Sequence, residues 1–337
     1  MSRNILIIKL GAIGDVVMAL PLISAISASE PDAHITWVCG RIVEPILRLV
    51  PRINRIVTVD DNALLKGNTI QRIREIFRLW LSLAGKEYDL TINAYRDKRY
   101  RLLTLPLKSR DYSDFMNTDR TGMIIPGRYH GYEFARLYTG IDDSGIGDIS
   151  YPELFLPAQS TVLQQFDLTS RYVVLAPGGA SNFLNIDDVR RWDITSYISL
   201  AKELLESGFQ VILSGAKNDL WISDYFTDLP VINLVAKTSL IDLLLLLRKS
   251  KFLVTHDTGI LHLAKLTNTK TFGLFGPVNP LERVGKSDNI DVIWGGEHLP
   301  CSPCYDGRKF AQCSNNLCMK NILVEDVMNR VSASLNS

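Results

Sequence analysis

The fold is decided near the N-terminus by the stretch ILIIKLGAIGD, residues 5–15. A short run of isoleucine and leucine that ends in glycines is typical of a buried strand followed by a tight turn. Asp15 stands where the N-cap of a helix is expected, ahead of apolar residues at helical spacing from Val16 to Ile26. A strand, a glycine turn and a helix in this order predict the first unit of a parallel α/β sheet.

The same alternation of strands and helices fills two blocks of the chain, while residues 111–159 between them lose it and are rich in Gly, Pro, Asp and Tyr. This pattern predicts an α/β fold with doubly wound parallel sheets, in an N-terminal domain of residues 1–160 and a C-terminal domain of residues 171–337. The predicted strands are Ile5–Leu10, Ile35–Val38, Ile56–Val59, Asp89–Ala94, Tyr172–Ala176, Gln210–Leu213, Ile232–Val235, Phe252–Thr255 and Thr271–Phe275. The predicted helices are the one after Asp15, Ile42–Leu49, the amphipathic Ile70–Ala84, one capped by Asp193 that runs to Glu206, Leu240–Lys249 and one from about Gly259.

Composition excludes several classes of protein. The chain has 337 residues, of which 46% are hydrophobic, so it can bury the cores of roughly two domains and is neither disordered nor fibrous. The formal net charge is only +1, so attraction of the whole molecule to nucleic acid or anionic lipid is not expected. Any basic surface that binds a partner must therefore be local.

Cellular location is predicted from the cysteines and the apolar runs. Four of the five cysteines crowd into residues 301–318, unlike a disulfide framework, and this favours a reducing compartment. The N-terminal apolar stretch is interrupted by Lys9, Asp15 and Pro21, which favours a buried strand over a secretory signal. Leu240–Leu247 is too short to span a bilayer. We expect a cytoplasmic protein.

Three loops are predicted to meet a ligand, because ligands of doubly wound sheets bind where strands end and helices begin. They are Gly11–Asp15 in the first block and Pro177–Trp192 and His256–His262 in the second. This distribution predicts a cleft with one reactant on each domain. The first loop has the spacing G-x-x-G, which is not the dinucleotide fingerprint, and Asp15 is either a plain helix cap or a functional carboxylate.

The loop of the second block that follows a strand as Asp257-Thr258-Gly259 predicts a diphosphate site. The amides of Thr258 and Gly259 at a helix start suit phosphate oxygens, with His262 about one turn away. The alternative is a capped helix with a buried histidine. Arg190 and Arg191 have the charge to neutralise the same phosphates, although two adjacent arginines are usually solvated.

Two further clusters carry charge or metal-binding potential. Arg96–Arg110 holds six cations against one aspartate and is interpreted either as a surface for acidic acceptor groups or as a solvated basic helix. Cys301, Cys304, Cys313 and Cys318 have the spacing C-x2-C-x8-C-x4-C, which favours one tetrahedral structural zinc or iron ion over disulfides or free thiols. Cys39 is interpreted as a buried apolar residue.

Taken in order, these motifs resemble glycosyltransferase family 9, the ADP-heptose:lipopolysaccharide heptosyltransferases. The resemblance rests on residues 7–15 with Pro21, on Ala176–Gly179 through Arg191-Trp192, on Thr255–Gly259 with His262, and on Phe275-Gly276-Pro277. It implies a GT-B architecture of two facing Rossmann-like domains with a central cleft, acceptor mainly on the first domain and nucleotide sugar mainly on the second, and inversion at the anomeric carbon.

The resemblance also implies roles for single residues. Asp15 matches the general base, and the residues predicted to bind substrate are Gly14, Arg190, Arg191, Asp257, Thr258, Gly259 and His262. Arg190 replaces the family's usual lysine, and the acidic residue expected to bind the ribose has no clear counterpart, with Asn218 and Asp219 as candidates. The four cysteines resemble the knuckle of some family members, including autotransporter heptosyltransferases, where it holds iron.

The predicted function is therefore inverting transfer of heptose from ADP-heptose to a lipopolysaccharide inner-core hydroxyl, without a catalytic cofactor. The alternatives are another nucleotide sugar, a protein serine as acceptor, or a noncatalytic nucleotide-binding module. The expected partners are the nucleotide sugar and the acceptor, with no nucleic acid and at most peripheral contact with the inner membrane.

Overall fold

The chain forms two compact units, Met1–Phe155 and Leu156–Ser337. The computed structural model describes residues 2–117, 124–140, 150–180, 188–287, 289–306 and 309–336. Within these ranges, no helix is both long enough and apolar enough to cross a bilayer. Each unit is built around its own parallel sheet.

The first unit contains a five-stranded parallel sheet in the order β3-β2-β1-β4-β5. Strand β1 lies at its centre, and its residues Ile5–Ile8 are fully buried, as predicted for the opening apolar run. The strands are β1 (Asn4–Ile8), β2 (His34–Gly40), β3 (Arg55–Val59), β4 (Glu87–Asn93) and β5 (Lys108–Asp114). The helices are Ile13–Ala19, Pro21–Ser29, Glu44–Leu47, Asp61–Leu65, Thr69–Leu83 and His130–Thr139.

The first helix differs from the prediction in its start and its length. It begins at Ile13 with Ala12 as N-cap, so the prediction that Asp15 caps it is wrong and Asp15 lies in its first turn instead. The helix stops at Leu20 because Pro21 lacks an amide proton for the next helical hydrogen bond. Pro21 instead occupies the first position of a second helix, where its fixed φ is favourable.

Several elements of the first unit were not predicted as such. The basic stretch contains a short 3₁₀ helix, Lys98–Thr104, and then edge strand β5, so the interpretation of one solvated basic helix is wrong. Strand β5 reads KSRDYSD and lacks the apolar residues by which a buried strand is recognised. Helix His130–Thr139 lies within residues 111–159. It was not predicted because the glycines and tyrosines of this segment obscure the helical spacing of its apolar residues.

The second unit contains a six-stranded parallel sheet in the order β11-β10-β9-β6-β7-β8. The strands are β6 (Tyr172–Ala176), β7 (Gln210–Leu213), β8 (Ile232–Asn233), β9 (Leu253–His256), β10 (Thr271–Phe275) and β11 (Ile290–Trp294). The helices are Ile194–Glu206, Leu240–Lys249, Gly259–Leu266, Pro280–Val284, Leu317–Lys320 and Val324–Asn336. Asp193 caps the first of these helices through the amide of Thr195, as predicted.

Both sheets are doubly wound and share one topological feature. The first and fourth strands of each unit are neighbours, β1 beside β4 and β6 beside β9, and the strand order reverses at these pairs. The predicted α/β class with Rossmann-like units is therefore confirmed. Ligands of such sheets bind at the carboxyl ends of the strands beside the reversal. All three predicted ligand loops begin at the carboxyl end of β1, β6 or β9, although residues 181–187 of the loop after β6 lie outside the described residues.

Candidate active site

At the carboxyl end of β1, an ion pair joins two residues of the opening stretch. Lys9 Nζ lies 3.2 Å from Asp15 Oδ2. The lysine side chain is buried, whereas 43% of the Asp15 side chain is exposed, so the carboxylate is held by a cation and still reaches solvent. A proton acceptor must be oriented and accessible at the same time. Asp15 meets both conditions, and Gly14 precedes it in the same first turn.

The surroundings of Lys9 explain how a buried ammonium is tolerated. Its Nζ lies 4.4 Å from the ring centroid of Tyr95 and 5.1 Å from that of Phe134, within the range of cation–π attraction. Tyr95 follows β4, and its hydroxyl accepts the amides of Leu10 and Gly11 at 2.8 and 3.3 Å. The two strands at the reversal point therefore fix the glycine turn together. Sequence reasoning treated Lys9 only as an interruption of an apolar run.

The basic stretch is split between two ends of the first sheet. Lys108 and Arg110 lie at the start of β5 and pair with the carboxylates of Glu87 and Asp89 in β4. The cations of the turn Lys98–Thr104 follow the carboxyl end of β4, the end at which a ligand is expected. Only this half of the stretch lies near Asp15 in the sheet topology.

A second carboxyl group lies along the carboxyl ends of the same sheet. Asp61 follows β3 and is 7% exposed, and its carboxyl packs so closely on Gly40 that a Cβ there would lie 2.2 Å from its oxygens. Burial and the neighbouring charge of Asp60 raise the pKa of Asp61 to about 6. A buried carboxyl group with a raised pKa at this edge is a candidate functional group that the sequence analysis missed.

The raised pKa of Asp61 predicts how stability changes with pH. Between about pH 4 and pH 6 the folded chain holds a proton that the unfolded chain releases, so stability falls as pH rises through this window. We expect Asp61→Asn to stabilise the protein by roughly 1–2 kcal/mol at pH 8 and hardly at all at pH 4. Asp32→Asn removes the same charge from an exposed site and should leave the profile unchanged. Thermal melts across this range measure both, and equal profiles for the two variants would contradict the assignment.

In the second unit, helix Gly259–Leu266 begins directly after β9, with Thr258 as its N-cap. The Thr258 side chain does not cap the helix and instead lies 3.4 Å from the hydroxyl of Thr255. Gly179, at a positive φ of 81°, approaches so closely that a Cβ there would lie 2.9 Å from Thr258. Since the first amides of a helix have no partners within it, this end favours an anion.

Asp257 forms the centre of a buried charge cluster at this helix start. Arg190 donates from Nη1 to its main-chain oxygen at 2.8 Å and to Oδ2 at 3.3 Å. Arg283 Nε lies 3.9 Å from Oδ2, and His262 Nε2 lies 3.7 Å from Oδ1. Burial alone raises the pKa of Asp257, but His262 and the charges of Arg283 and Arg190 outweigh it and hold the pKa far below its usual range. Asp257 is therefore ionised.

Arg191 does not contact Asp257 as Arg190 does, and instead binds the start of the loop after β6. Its Nε and Nη2 donate to the carbonyl oxygen of Gly179 at 3.0 and 2.8 Å, and Nη1 pairs with Asp188 at 2.7 Å. The two adjacent arginines thus have different partners, and neither is simply solvated. Arg190 is bound to the charge cluster, whereas Arg191 holds the glycine turn after β6.

Asp219 also binds the main chain of this turn. Its carboxylate is buried and accepts the amides of Gly179 and Ala216, both at 2.8 Å. Gly178 lies against it, since a Cβ there would be 2.4 Å from the Asp219 carboxyl carbon. Of the two candidates for a ribose contact, Asp219 is therefore engaged in joining the loops after β6 and β7. Asn218 is exposed.

The four clustered cysteines lie near one another but are not arranged as the ligands of one metal ion. Burial raises the pKa of the Cys318 thiol to about 11, and the charges of Cys304, Cys313 and Cys301 add to the increase, so the four thiols lie within electrostatic range. The amide of Asn316 donates to Cys313 Sγ at 3.1 Å. Across the described ranges, which omit residues 307–308 of this segment, no three Cys, His, Asp or Glu side chains are placed to hold a metal ion. Cys39 is fully buried, as predicted.

The predicted residues therefore form two groups, one in each unit. Gly14 and Asp15 lie at the reversal point of the first sheet, and Arg190, Asp257, Thr258, Gly259 and His262 lie at that of the second, with Arg191 on the adjoining turn. Lys9 and Arg283 complete the groups and were not predicted. The sequence does not indicate their roles, because only the folded structure places Lys9 beside Asp15 and Arg283 beside Asp257.

Comparison with known proteins identifies the family to which the chain belongs. The model of glycosyltransferase family 9 (heptosyltransferase) matches residues 147–314. The chain is 23% identical over 316 residues to the lipopolysaccharide core heptosyltransferase OpsX of Haemophilus influenzae, covering 86% of this chain and 84% of that protein. The chain belongs to glycosyltransferase family 9, and the protein is a glycosyltransferase. This sets aside the alternative of a noncatalytic nucleotide-binding module.

Solved structures support the fold. A family 9 glycosyl transferase from Veillonella parvula superposes with a TM-score of 0.77 at 17% identity, covering 99% of this chain and 98% of that one. The ADP-heptose lipopolysaccharide heptosyltransferase II of E. coli gives 0.75 at 20% identity, covering 98% of both chains. The iron-containing dodecameric glycosyltransferase TibC of enterotoxigenic E. coli gives 0.63 at 13% identity, covering 99% of this chain and 77% of that one. The predicted GT-B class is confirmed.

Proposed function

We propose that the protein transfers a heptose from ADP-heptose to a hydroxyl group of a lipopolysaccharide inner-core acceptor. The observation that carries the proposal is the helix start at Thr258 and Gly259, with its arginine-held carboxylate, at the reversal point of the second sheet. The lipopolysaccharide heptosyltransferases that the chain is similar to support the donor and acceptor class.

The second unit is proposed to bind the donor. Its diphosphate is assigned to the amides of Thr258 and Gly259, where the helix dipole favours negative charge. Because ionised Asp257 repels phosphate, we place this carboxylate against sugar hydroxyls, which donate hydrogen bonds. Arg190 and Arg283 compensate its charge and keep the site positive overall, with His262 on the opposite carboxylate oxygen.

The first unit is proposed to bind the acceptor and to supply the base. Asp15 takes the proton of the attacking hydroxyl, and Lys9 orients this carboxylate. The acceptor oxygen forms a bond to the anomeric carbon as the bond from that carbon to the diphosphate breaks. The electron pair leaves with ADP, whose charge is stabilised by the helix start, and the anomeric configuration is inverted.

The test of this function is a panel of nucleotide sugars incubated with purified protein and core acceptors, read by mass spectrometry. The proposal expects a mass gain of one heptose on a lipopolysaccharide core acceptor, with ADP-heptose as the best donor. Transfer of another sugar, or transfer to a serine-containing protein in place of the core, would favour the two remaining alternatives.

The proposal includes one structural zinc or iron ion bound by Cys301, Cys304, Cys313 and Cys318. Four thiolates suit a soft tetrahedral ion and leave no open position for substrate, so such an ion acts in folding. The mutual proximity of the thiols and the amide donated to Cys313 support this set. An iron-containing relative of the same fold lends further support.

Metal content gives a direct prediction. Protein purified without added metal should contain close to one zinc or iron per chain by elemental analysis, and Cys301→Ser should lose both the metal and thermal stability. Cys39→Ala is the matched control, because it removes a buried thiol outside the cluster and should keep the metal. Metal-free wild-type protein that is folded and active, with all four thiols reactive, would show the site to be absent.

A further inference from the structure

The apolar face of helix Thr69–Leu83 is only partly buried against the core of the first unit. Leu79 and Leu83 are buried on one side of this helix. Four more apolar residues, Ile70, Ile73, Phe77 and Leu81, are exposed by 77%, 62%, 55% and 62%. At 100° per residue these four side chains fall within an arc of about 80°, so they form one stripe that faces solvent.

The stripe continues onto the neighbouring 3₁₀ turn. Trp80 Nε1 donates to the carbonyl oxygen of Leu102 at 3.0 Å and joins the helix to the turn Lys98–Thr104. Leu102 and Leu105 in this region are exposed by 44% and 70%. We call these six residues the apolar patch: Ile70, Ile73, Phe77, Leu81, Leu102 and Leu105. Single exposed apolar residues are ordinary, whereas a contiguous group marks an interaction surface.

Cations surround the apolar patch. Residues 66–86 contain five cations and one carboxylate, and that carboxylate, Glu75, is buried and paired with Arg78. Exposed Arg74 lies beside the stripe on the helix and exposed Lys98 lies on the adjoining turn, where the neighbouring Arg99 is paired with Asp97. An apolar stripe with basic residues at its border is the pattern of a helix that lies in the interface of an anionic bilayer.

We propose that the apolar patch docks the first unit onto an anionic lipid bilayer, with helix Thr69–Leu83 parallel to the membrane plane. The side chains of Phe77 and Leu81 enter the headgroup boundary, and Arg74 and Lys98 contact lipid phosphates. A second copy of this chain is a poorer occupant, because a symmetric contact would bring these cations against one another. The inference depends on the patch alone and not on the identity of the donor or acceptor.

Vesicle flotation with the full-length protein tests the inference. Wild-type protein should bind phosphatidylcholine vesicles that contain phosphatidylglycerol, bind them less at high salt, and bind pure phosphatidylcholine vesicles weakly. A Phe77→Ser/Leu81→Ser double variant should partition about tenfold or more weakly, because two apolar side chains no longer enter the bilayer. Arg74→Glu should weaken binding to the anionic vesicles selectively.

The matched control is Leu281→Ser/Leu323→Ser, which removes two similarly exposed leucines from the second unit and should bind like the wild type. Circular dichroism and sugar transfer to a water-soluble acceptor show that each variant is folded, and transfer should be unchanged. Absence of wild-type binding, or equal loss in both double variants, would overturn the inference. A concentration-dependent dimer in sedimentation equilibrium that only Phe77→Ser/Leu81→Ser abolishes would assign the patch to a second copy instead.

Discussion

Replacing Asp15 with asparagine is expected to reduce turnover about 100-fold or more while donor affinity stays nearly unchanged. Asparagine has the same size and can still accept a hydrogen bond from Lys9, but it cannot take up the proton of the attacking hydroxyl. Asp15 does not cap its helix, so the variant loses no cap, and any loss of stability comes from the lost ion pair with buried Lys9. Steady-state kinetics with calorimetric binding of ADP measures both quantities.

The control for Asp15 is Asp32→Asn, which removes an exposed carboxylate of the same unit and should leave turnover intact. Asp15 has two functions in this proposal, because its ion pair with Lys9 contributes to local order and its carboxylate accepts the proton. Near-normal turnover of Asp15→Asn, or an equal loss of donor affinity and turnover, would remove Asp15 from the role of base.

Replacing Arg190 with alanine is expected to weaken donor binding about 10- to 100-fold. Arg190 donates to both the main chain and the carboxylate of Asp257, and hydrogen bonds to charged groups contribute about 1.5–3 kcal/mol each. Without Arg190, buried Asp257 retains only part of its compensating charge and presents a net negative potential to the diphosphate. Donor affinity should therefore fall much more than acceptor affinity, as calorimetry with ADP and with acceptor would show.

Arg191→Ala is the matched variant, since it removes a neighbouring guanidinium that contacts Gly179 and Asp188. We expect a smaller loss of donor affinity from it, caused by a looser glycine turn. Arg190→Lys should restore part of the affinity, because a lysine supplies the charge but not the planar guanidinium whose Nη1 donates to both oxygens of Asp257. Equal losses for Arg190→Ala and Arg191→Ala would argue against a specific role of Arg190.

Much of the fold was predictable because its signals are local. Helix Leu240–Lys249 and strands Gln210–Leu213 and Thr271–Phe275 have the predicted bounds, since apolar runs and flanking polar residues set them. Gly208 has a positive φ of 77° where a glycine was expected to end a helix. Edge strand β5 was missed because it pairs through its backbone while its side chains are mostly polar.

The candidate site was predictable only in its motifs. Asp257, Thr258 and Gly259 are neighbours in sequence, so their place at a helix start could be inferred. The partners of Asp257 could not be inferred, because Arg190 and Arg283 reach it from separate loops across the fold. In the sequence, Lys9 only interrupts an apolar strand. In the structure, the glycine turn and the start of the helix place the Asp15 carboxylate beside the Lys9 ammonium group.

The central claim is that this chain inverts the anomeric carbon of a heptose donor with Asp15 as base. The most direct measurement is nuclear magnetic resonance of the product formed from ADP-heptose and a heptose-free lipopolysaccharide core, by wild-type protein and by Asp15→Asn. The account predicts one heptose joined with inverted anomeric configuration, one ADP released per product, and very slow formation by the variant. Retained configuration, or equal product formation by both proteins, would contradict it.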